Sequence, residues 1–205
     1  LKLALGELHA DDGAITLPRS ERIGTVAQEA PGGEETLLET VLAADTERAS
    51  LMAEAEHASD PHRIAEIQMR LADIDAHAAP SRAATILSGL GLTDEQIAGP
   101  CSALSGGWRM RVALAAGLFA NPDVLLLDEP TNYLDLEGVI WLKSYLRTYR
   151  ATVIVVSHDR DLLNDVVDSI LHLDRGKLTL YQGNYDSFER QREEKQALSA
   201  ALRKK

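Results

Sequence analysis

The spacing of apolar residues separates a helical middle from two ends that contain strands. The segment 1–8 has a helical pattern, whereas the short apolar runs 14–17 and 22–27 flank a turn and predict two strands. Between residues 34 and 92 strand-forming residues become rare, and Leu, Ile, Val and Ala recur every three or four positions. This middle part therefore predicts a helical subdomain.

Fully apolar runs return in the second half of the chain. Residues 124–127 and 152–157 predict strands, with helices before, between and after them. Such strands are typical of a parallel sheet that is buried on both faces. A hairpin is predicted over residues 170–181, and a charged helix begins at residue 185. We therefore expect an α/β protein with a mainly parallel core sheet, an antiparallel β piece and an inserted helical subdomain.

Composition narrows the class of protein. The formal net charge of −11 argues against a uniformly basic nucleic-acid surface, so no direct DNA binding is expected. The single cysteine, Cys101, excludes an intramolecular disulfide and fits a reducing cytoplasm. Apolar runs of membrane-spanning length are absent from the sequence. We expect a cytoplasmic protein without membrane insertion.

Two adjacent carboxylates follow the apolar strand at residues 124–127. A buried strand delivers charges at its carboxyl end, where α/β proteins bind ligands. Asp128 can hold a metal ion through its water shell, and Glu129 can orient or deprotonate an attacking water. The pair is what a magnesium-dependent nucleotide hydrolase needs.

A serine and two glycines open the predicted helix at residues 105–119. Ser105, Gly106 and Gly107 provide free backbone N–H groups at the positive end of the helix dipole. This arrangement suits a phosphate group.

These motifs stand in a specific order along the chain. Leu-Ser-Gly-Gly at residues 104–107 is followed by the apolar strand with Asp-Glu, by Asn-Tyr-Leu-Asp at residues 132–135, and by Ser-His-Asp at residues 157–159. The ordered set resembles the ATP-binding cassette (ABC) ATPases, which carry a signature, a Walker B strand, a D-loop and a switch histidine in this order. The resemblance implies a P-loop NTPase-like ABC cassette that binds ATP and Mg²⁺.

The same resemblance implies a role for each matching residue. Glu129 would be the general base and Asp128 the Mg²⁺ ligand, while His158 would contact the γ-phosphate. Gln28, at a strand end, would be the Q-loop residue that reaches the metal ion and the attacking water. Asp135 would contact a second cassette.

The signature acts across the interface between two cassettes in this family. Ser105, Gly106 and Gly107 would therefore cap the γ-phosphate of the nucleotide that the second cassette holds.

The phosphate-binding loop of the family does not occur in this sequence. No Gly-x-x-x-x-Gly-Lys-Ser/Thr motif is present, and residues 1–8 resemble the body of the helix that normally follows this loop. We expect a fragment that starts just after the loop rather than a cassette that has lost it. The chain alone is then expected to be inactive, because most phosphate donors are missing.

Three further details resemble the ABC-F branch of the family. They are Trp-Arg-Met-Arg at residues 108–111, Thr-Asn-Tyr-Leu-Asp-Leu at residues 131–136, where Tyr133 replaces the usual His, and Tyr-Gln-Gly-Asn-Tyr at residues 181–185. ABC-F proteins are soluble ATPases with two cassettes in one polypeptide. The resemblance implies a first cassette that acts on the ribosome in translation.

An extra helical pair at about residues 45–78 resembles the ABC-F arm, which touches the ribosome. This arm carries eight acidic residues and three arginines: Asp45, Glu47, Glu54, Glu56, Asp60, Glu66, Asp73 and Asp75 against Arg48, Arg63 and Arg70. Because so acidic a surface binds a phosphate backbone poorly, a protein contact is the better expectation.

The predicted organisation has four parts. They are a partial ATP-binding core (1–33), the helical subdomain with its arm (34–104), the signature helix with the rest of the core (105–184), and the start of an interdomain linker (185–205). Two other functions stay open from the sequence. One is the ATPase subunit of a membrane transporter, and the other is a non-catalytic cassette that only pairs with a partner.

Overall fold

The core of the protein is a three-stranded parallel sheet. The computed structural model describes residues 1–16, 21–27 and 31–202, with side-chain surroundings up to residue 197. The strands run in the order β1–β2–β3, where β1 is Ile23–Thr25, β2 is Val124–Asp128 and β3 is Thr152–Val156. The parallel sheet that the apolar runs predict is therefore confirmed.

The two apolar strands differ in how they are buried. The first four residues of β2 are buried, because β2 lies between the other strands and has packing on both faces. β3 alternates instead: Val153 and Val155 pack against the core, whereas Ile154 and Val156 are exposed. The prediction of burial on both faces is therefore confirmed for β2 and wrong for β3.

Nine α-helices complete the described part of the chain. They are α1 (Leu37–Leu42), α2 (Thr46–His57), α3 (Pro61–Asp73), α4 (Ala79–Gly89), α5 (Asp94–Ile97), α6 (Gly106–Phe119), α7 (Leu136–Arg147), α8 (Arg160–Val166) and α9 (Tyr185–Leu202). Helix α6 packs against α1 and α4, and α7 packs against α4 and α8. Since eight residues of α6 are buried, this helix is the centre of the main hydrophobic core.

Helices α2 and α3 form a hairpin with a small core of its own. Ile67, Leu71 and Ala76 are buried there, with Leu51 and Ala55 packed against them. Helix α3 starts at Pro61 after the N-cap Asp60, as the sequence predicts. The predicted helices of the middle segment are thus confirmed, and we call residues 45–78, which contain the α2–α3 hairpin, the arm.

The beginning of the chain differs from its prediction. Residues 1–8 form turns rather than a helix, and residues 14–16 have no regular structure. Gly6 adopts a left-handed φ of +73°, and Leu3 and Leu8 are exposed. A short helix without an apolar surface to pack against is marginal in water, which explains the difference.

An antiparallel hairpin follows the core. Strands β4 (Ser169–Asp174) and β5 (Lys177–Gln182) pair as the sequence predicts, and α9 follows them. The ring centres of Tyr181 and Phe188 are 5.0 Å apart, and this aromatic contact packs α9 against the hairpin. Within the described residues, no helix combines the length and the apolar character that a membrane crossing requires.

Candidate functional site

The end of β2 brings a carboxylate and an imidazole into contact. Oε2 of Glu129 lies 2.8 Å from Nδ1 of His158, and the backbone N–H of His158 points to the same oxygen at 3.4 Å. The N–H of Glu129 donates to the carbonyl of Val156 at 2.8 Å, which ties the ends of β2 and β3 together. The strand order therefore places two of the sequence-predicted site residues side by side.

Glu129 has an unusual backbone conformation. Its φ is +46°, in the left-handed region that non-glycine residues rarely adopt. The residue leaves the line of β2, and its carboxylate is 28% exposed beside the His158 side chain, which is 78% exposed. Such strain persists where the surrounding structure holds it, and it is common at functional sites.

Asp128 ends β2 and is exposed. Magnesium is usually held by one or two carboxylates together with water and substrate phosphates, and a single open carboxylate at a strand end fits this mode. Groups of three or more His, Cys, Asp or Glu side chains with metal-site geometry do not occur in the described ranges. Asp128 is thus suited to contribute one ligand to a magnesium–nucleotide complex.

The signature residues begin helix α6. Ser105 is the N-cap, and its hydroxyl makes no capping hydrogen bond to its own helix. Space is open above Gly106, where an added Cβ would meet no atom within 4 Å. An added Cβ on Gly107 would lie 3.8 Å from the ring of Tyr133. The helix end is therefore accessible, and it adjoins the D-loop of the same chain.

Asp135 is engaged within its own chain. Its Oδ1 accepts from the Gly138 N–H at 2.9 Å, which caps α7, and its Oδ2 accepts from Nη1 of Arg111 at 3.0 Å. The Gly138 N–H, and after it the Arg111 guanidinium, hold the pKa of Asp135 below its usual value. The carboxylate is still 53% exposed, so it can accept a further donor.

Arg111 is a residue to which the sequence assigned no role. It is 8% exposed, and its guanidinium donates to Tyr133 O, Leu90 O and Asp135 Oδ2. The signal in the sequence was an arginine directly before a run of small apolar residues in α6. A charge in such a place needs a partner, but the sequence does not say which one.

The site residues fall into two groups. Glu129 and His158 form one, and residues 105–107 lie beside the D-loop in the other. The D-loop connects them, because the Asn132 N–H donates to the Glu129 carbonyl at 3.2 Å. Gln28 lies outside the described residues, so the structure places no Q-loop side chain.

Comparison with known families gives a direct match. The model of the family described as ABC transporter matches residues 1–132, and a second model with the same description matches residues 171–205. The first match alone covers more than half of the chain.

Curated proteins with similar sequences support the same assignment. The chain is 45% identical to the "Probable ATP-binding protein YheS" of Escherichia coli K12, covering 98% of this chain and 32% of that protein. It is 42% identical to the human "ATP-binding cassette sub-family F member 3", covering 89% of this chain and 27% of that protein. The chain thus spans about a third of the length of these relatives.

A solved structure shares the fold. The complex of archaeal ribosomal stalk protein aP1 with the archaeal ribosome recycling factor aABCE1 matches with a TM-score of 0.62. The sequences are 22% identical, and the match covers 92% of this chain and 32% of that one. At this identity the likeness concerns the fold alone.

Proposed function

The chain belongs to the ATP-binding cassette family, in its F subfamily, and we propose that it is part of an ATPase that acts on the ribosome in translation. Cassettes of this family bind ATP, generally with Mg²⁺, and hydrolyse it. The contact between Glu129 and His158 at the end of β2 carries the proposal of hydrolysis in this protein. ATP binding and hydrolysis would set the closed and open states of two cassettes.

Each side chain at the end of β2 has a proposed task. Glu129 takes the proton of the attacking water as general base, and its contact with His158 holds the carboxylate in place. His158 is exposed and can turn one ring nitrogen toward the γ-phosphate. Asp128 would contribute a ligand to Mg²⁺, and the ion would supply charge neutralisation at the phosphates. Gln28 is proposed, from its sequence position, to reach the metal ion and the water.

The open helix end supports a role for the signature. Ser105, Gly106 and Gly107 are proposed to cap the γ-phosphate of the nucleotide in a second cassette of the same polypeptide. Asp135 is proposed to reach that cassette through the exposed part of its carboxylate.

The division into four parts is likewise proposed. The core parts are residues 1–33 and 105–184, the helical subdomain is residues 34–104, and a linker begins at residue 185. Because no phosphate loop occurs among these 205 residues, the chain by itself is proposed to be inactive.

The charges of the arm favour a protein contact on the ribosome. Arg63 pairs with Glu54 at 2.6 Å and with Glu66 at 2.9 Å, and Arg70 pairs with Glu47 at 2.6 Å. The remaining arginine of the arm, Arg48, donates its Nε–H to the carbonyl of Ala76 at 3.3 Å. Every arginine of the arm is therefore engaged inside the arm, which leaves a surface with an excess of negative charge.

The resemblance to the F subfamily supports the ribosomal setting. The human relative is a sub-family F protein. We extend the ribosomal setting of this subfamily to this chain as a proposal, and the archaeal structural neighbour supports the fold alone.

Sedimentation with ribosomes tests the proposed function. The full-length protein with Glu129→Gln is mixed with purified ribosomes and with either ATP or ADP, and the pellet is analysed. We expect the protein in the ribosome pellet with ATP and much less of it with ADP. Recovery with membranes, and none with ribosomes, would instead support a transporter subunit.

A charge reversal tests the contact of the arm in the same assay. Glu56 and Asp73 are exposed and form no ion pair among the described side chains. If the arm binds a basic protein surface, Glu56→Lys with Asp73→Lys weakens the ATP-dependent sedimentation. Stronger sedimentation would indicate that the arm approaches RNA.

A further inference from the structure

We propose that Arg111 is a positioning residue that fixes the signature turn to the D-loop of its own cassette. The two segments would then meet the second cassette as one rigid surface. This inference rests on the proposed function, because the surface matters only if two cassettes close over ATP.

The hydrogen bonds of Arg111 reach three acceptors in two separate segments of the chain. Its Nε donates to the Tyr133 carbonyl at 2.7 Å. Its Nη1 donates to the Leu90 carbonyl, just after α4, at 2.8 Å and to Asp135 at 3.0 Å. Arg111 itself lies on α6, one helical turn after Gly107. One side chain thus connects the signature helix, the end of α4 and the D-loop.

The guanidinium also has close neighbours besides its hydrogen-bond acceptors. Its carbon lies 4.1 Å from the centre of the Trp108 ring, within cation–π distance. Gly91, which has a φ of +90°, is near as well, and a Cβ there would come within 2.8 Å of Nη1. These neighbours restrict the guanidinium in addition to its hydrogen bonds.

The signature turn and the D-loop also lie close together at Gly107. The ring of Tyr133 is near Gly107, because its Cδ1 lies 3.8 Å from the position that an added Cβ on Gly107 would take. The carbonyl of the same residue accepts from Nε of Arg111. A shift of the signature turn relative to the D-loop would have to break this hydrogen bond or carry the D-loop with it.

The charges indicate why the contact between Arg111 and Asp135 persists. Arg111 is nearly buried, and the carboxylate paired with it is that of Asp135. Removal of that carboxylate leaves a buried cation without its ion-pair partner, which is unfavourable in a low-dielectric surrounding. The guanidinium would then reorient or draw in water, and the D-loop would lose its fixed position.

The test removes the ion pair without removing the helix cap. Serine caps helices about as well as aspartate, so Asp135→Ser keeps the start of α7 but cannot reach Arg111. Asp60→Ser is the matched control, because Asp60 caps α3 through the His62 N–H at 3.1 Å and forms no ion pair among the described side chains. Both variants are made in the full-length protein that also carries Glu129→Gln.

Three quantities are measured on each variant. The first two are the thermal midpoint and the affinity of one cassette for a fluorescent ATP analogue. The third is the half-closing concentration, which is the ATP concentration at which half of the molecules have their two cassettes closed. Energy transfer between dyes on the two cassettes reports this closure. We expect Asp135→Ser to raise the half-closing concentration about 10-fold, a modest cost for lost orientation. Its nucleotide affinity should stay close to that of Asp60→Ser, whereas its thermal midpoint should be lower, because the nearly buried Arg111 loses its ion-pair partner.

Two further variants keep the test decisive if Asp135→Ser does not fold, and they retain the Asp135 carboxylate, which is itself proposed to reach the second cassette. Arg111→Lys retains the charge but not the three-way hydrogen bonding, so an intermediate rise is expected. Trp108→Leu removes the stacking partner, and a loss of one cation–π contact corresponds to about a 3-fold rise.

Unchanged closure in folded Asp135→Ser, or in Arg111→Lys and Trp108→Leu, would overturn the inference. A rise in the half-closing concentration that comes with an equal loss of nucleotide affinity in one cassette would also overturn it, because Arg111 would then be purely structural. If the cassettes with an intact Arg111 do not close with ATP at all, the proposed function fails together with the inference. Closure that Arg111 does not affect would leave the proposed function standing.

Discussion

Nδ1 of His158 and Oε2 of Glu129 are 2.8 Å apart, although 28 residues separate the two side chains in sequence. The contact forms because β2 and β3 are parallel neighbours that end at the same edge of the sheet. A ring N–H that donates to the carboxylate fixes the direction in which the carboxylate points. The candidate base and the candidate phosphate contact therefore form one unit.

Replacement of His158 should slow ATP hydrolysis, because His158 is the contact that orients the Glu129 carboxylate. In the full-length protein we expect His158→Ala to slow ATP hydrolysis about 10²-fold, at the lower end of the effect of an acid–base partner. His62→Ala is the control, because His62 is exposed in the arm, and hydrolysis should not change. The measurement is the steady-state release of phosphate.

The combination of His158→Ala with Glu129→Gln should cost little more than Glu129→Gln alone. Residues that act as one unit have non-additive effects. Fully additive losses would show that the two side chains act independently, despite their contact.

The second prediction concerns the titration of Asp135. The Gly138 N–H and the Arg111 guanidinium both favour the ionised form, so the pKa of this carboxyl lies below its usual value. The group therefore stabilises the fold at pH values above the usual aspartate pKa of about 3.9, and this contribution is lost as the pH falls through the lowered pKa. The measurement is an NMR titration of the Asp135 carboxyl carbon.

Arg111→Ala should move the pKa of Asp135 only part of the way back. The cap to Gly138 remains in that variant, and it is the larger cause of the lowering. A pKa that does not respond to Arg111→Ala would contradict the ion pair seen in the structure.

The third prediction concerns the stability of the arm. Ile67 is 1% exposed in the small core of α2 and α3, so Ile67→Ala should cost about 2–4 kcal/mol of unfolding free energy for the arm. Met69, which is 63% exposed on the same helix, provides the control, and Met69→Ala should cost less than about 0.5 kcal/mol. Hydrogen exchange of the amides in α2 and α3 measures both values.

The arm has its own hydrophobic cluster, and this determines where the effect should appear. We expect faster exchange in α2 and α3 after Ile67→Ala, with β2 and α6 unaffected, because separate clusters can open locally. Equal loss of protection in α6 would mean that the arm and the main core unfold together.

Much of the core could be predicted because its signals are local. The four apolar residues before Asp128 predict β2, the Ser-Gly-Gly sequence predicts the start of α6, and Asp60 with Pro61 predicts the start of α3. In each case the residues that form the element also determine its boundaries.

The rest depends on contacts between distant positions. Two of the acceptors of Arg111 are backbone carbonyls, at Leu90 and Tyr133, and a backbone carbonyl leaves no signature in the sequence. The helical pattern of residues 1–8 was equally uninformative, because the pattern records which face is apolar but not whether another surface covers it. The one-sided burial of β3 could not be predicted for the same reason, because an apolar run does not show whether both faces of a strand are covered.

The central claim is that Glu129 is the general base of an ATP-hydrolysing cassette. The most direct measurement compares single-turnover ATP hydrolysis in the full-length protein carrying Glu129→Gln with that of Glu137→Gln, which alters an exposed carboxylate in the first turn of α7. We expect Glu129→Gln to slow hydrolysis by about 10²–10⁴ with ATP still bound, the usual cost of a lost general base. Glu137→Gln should leave the rate unchanged. An unchanged rate in Glu129→Gln would contradict the assignment of Glu129 as the base.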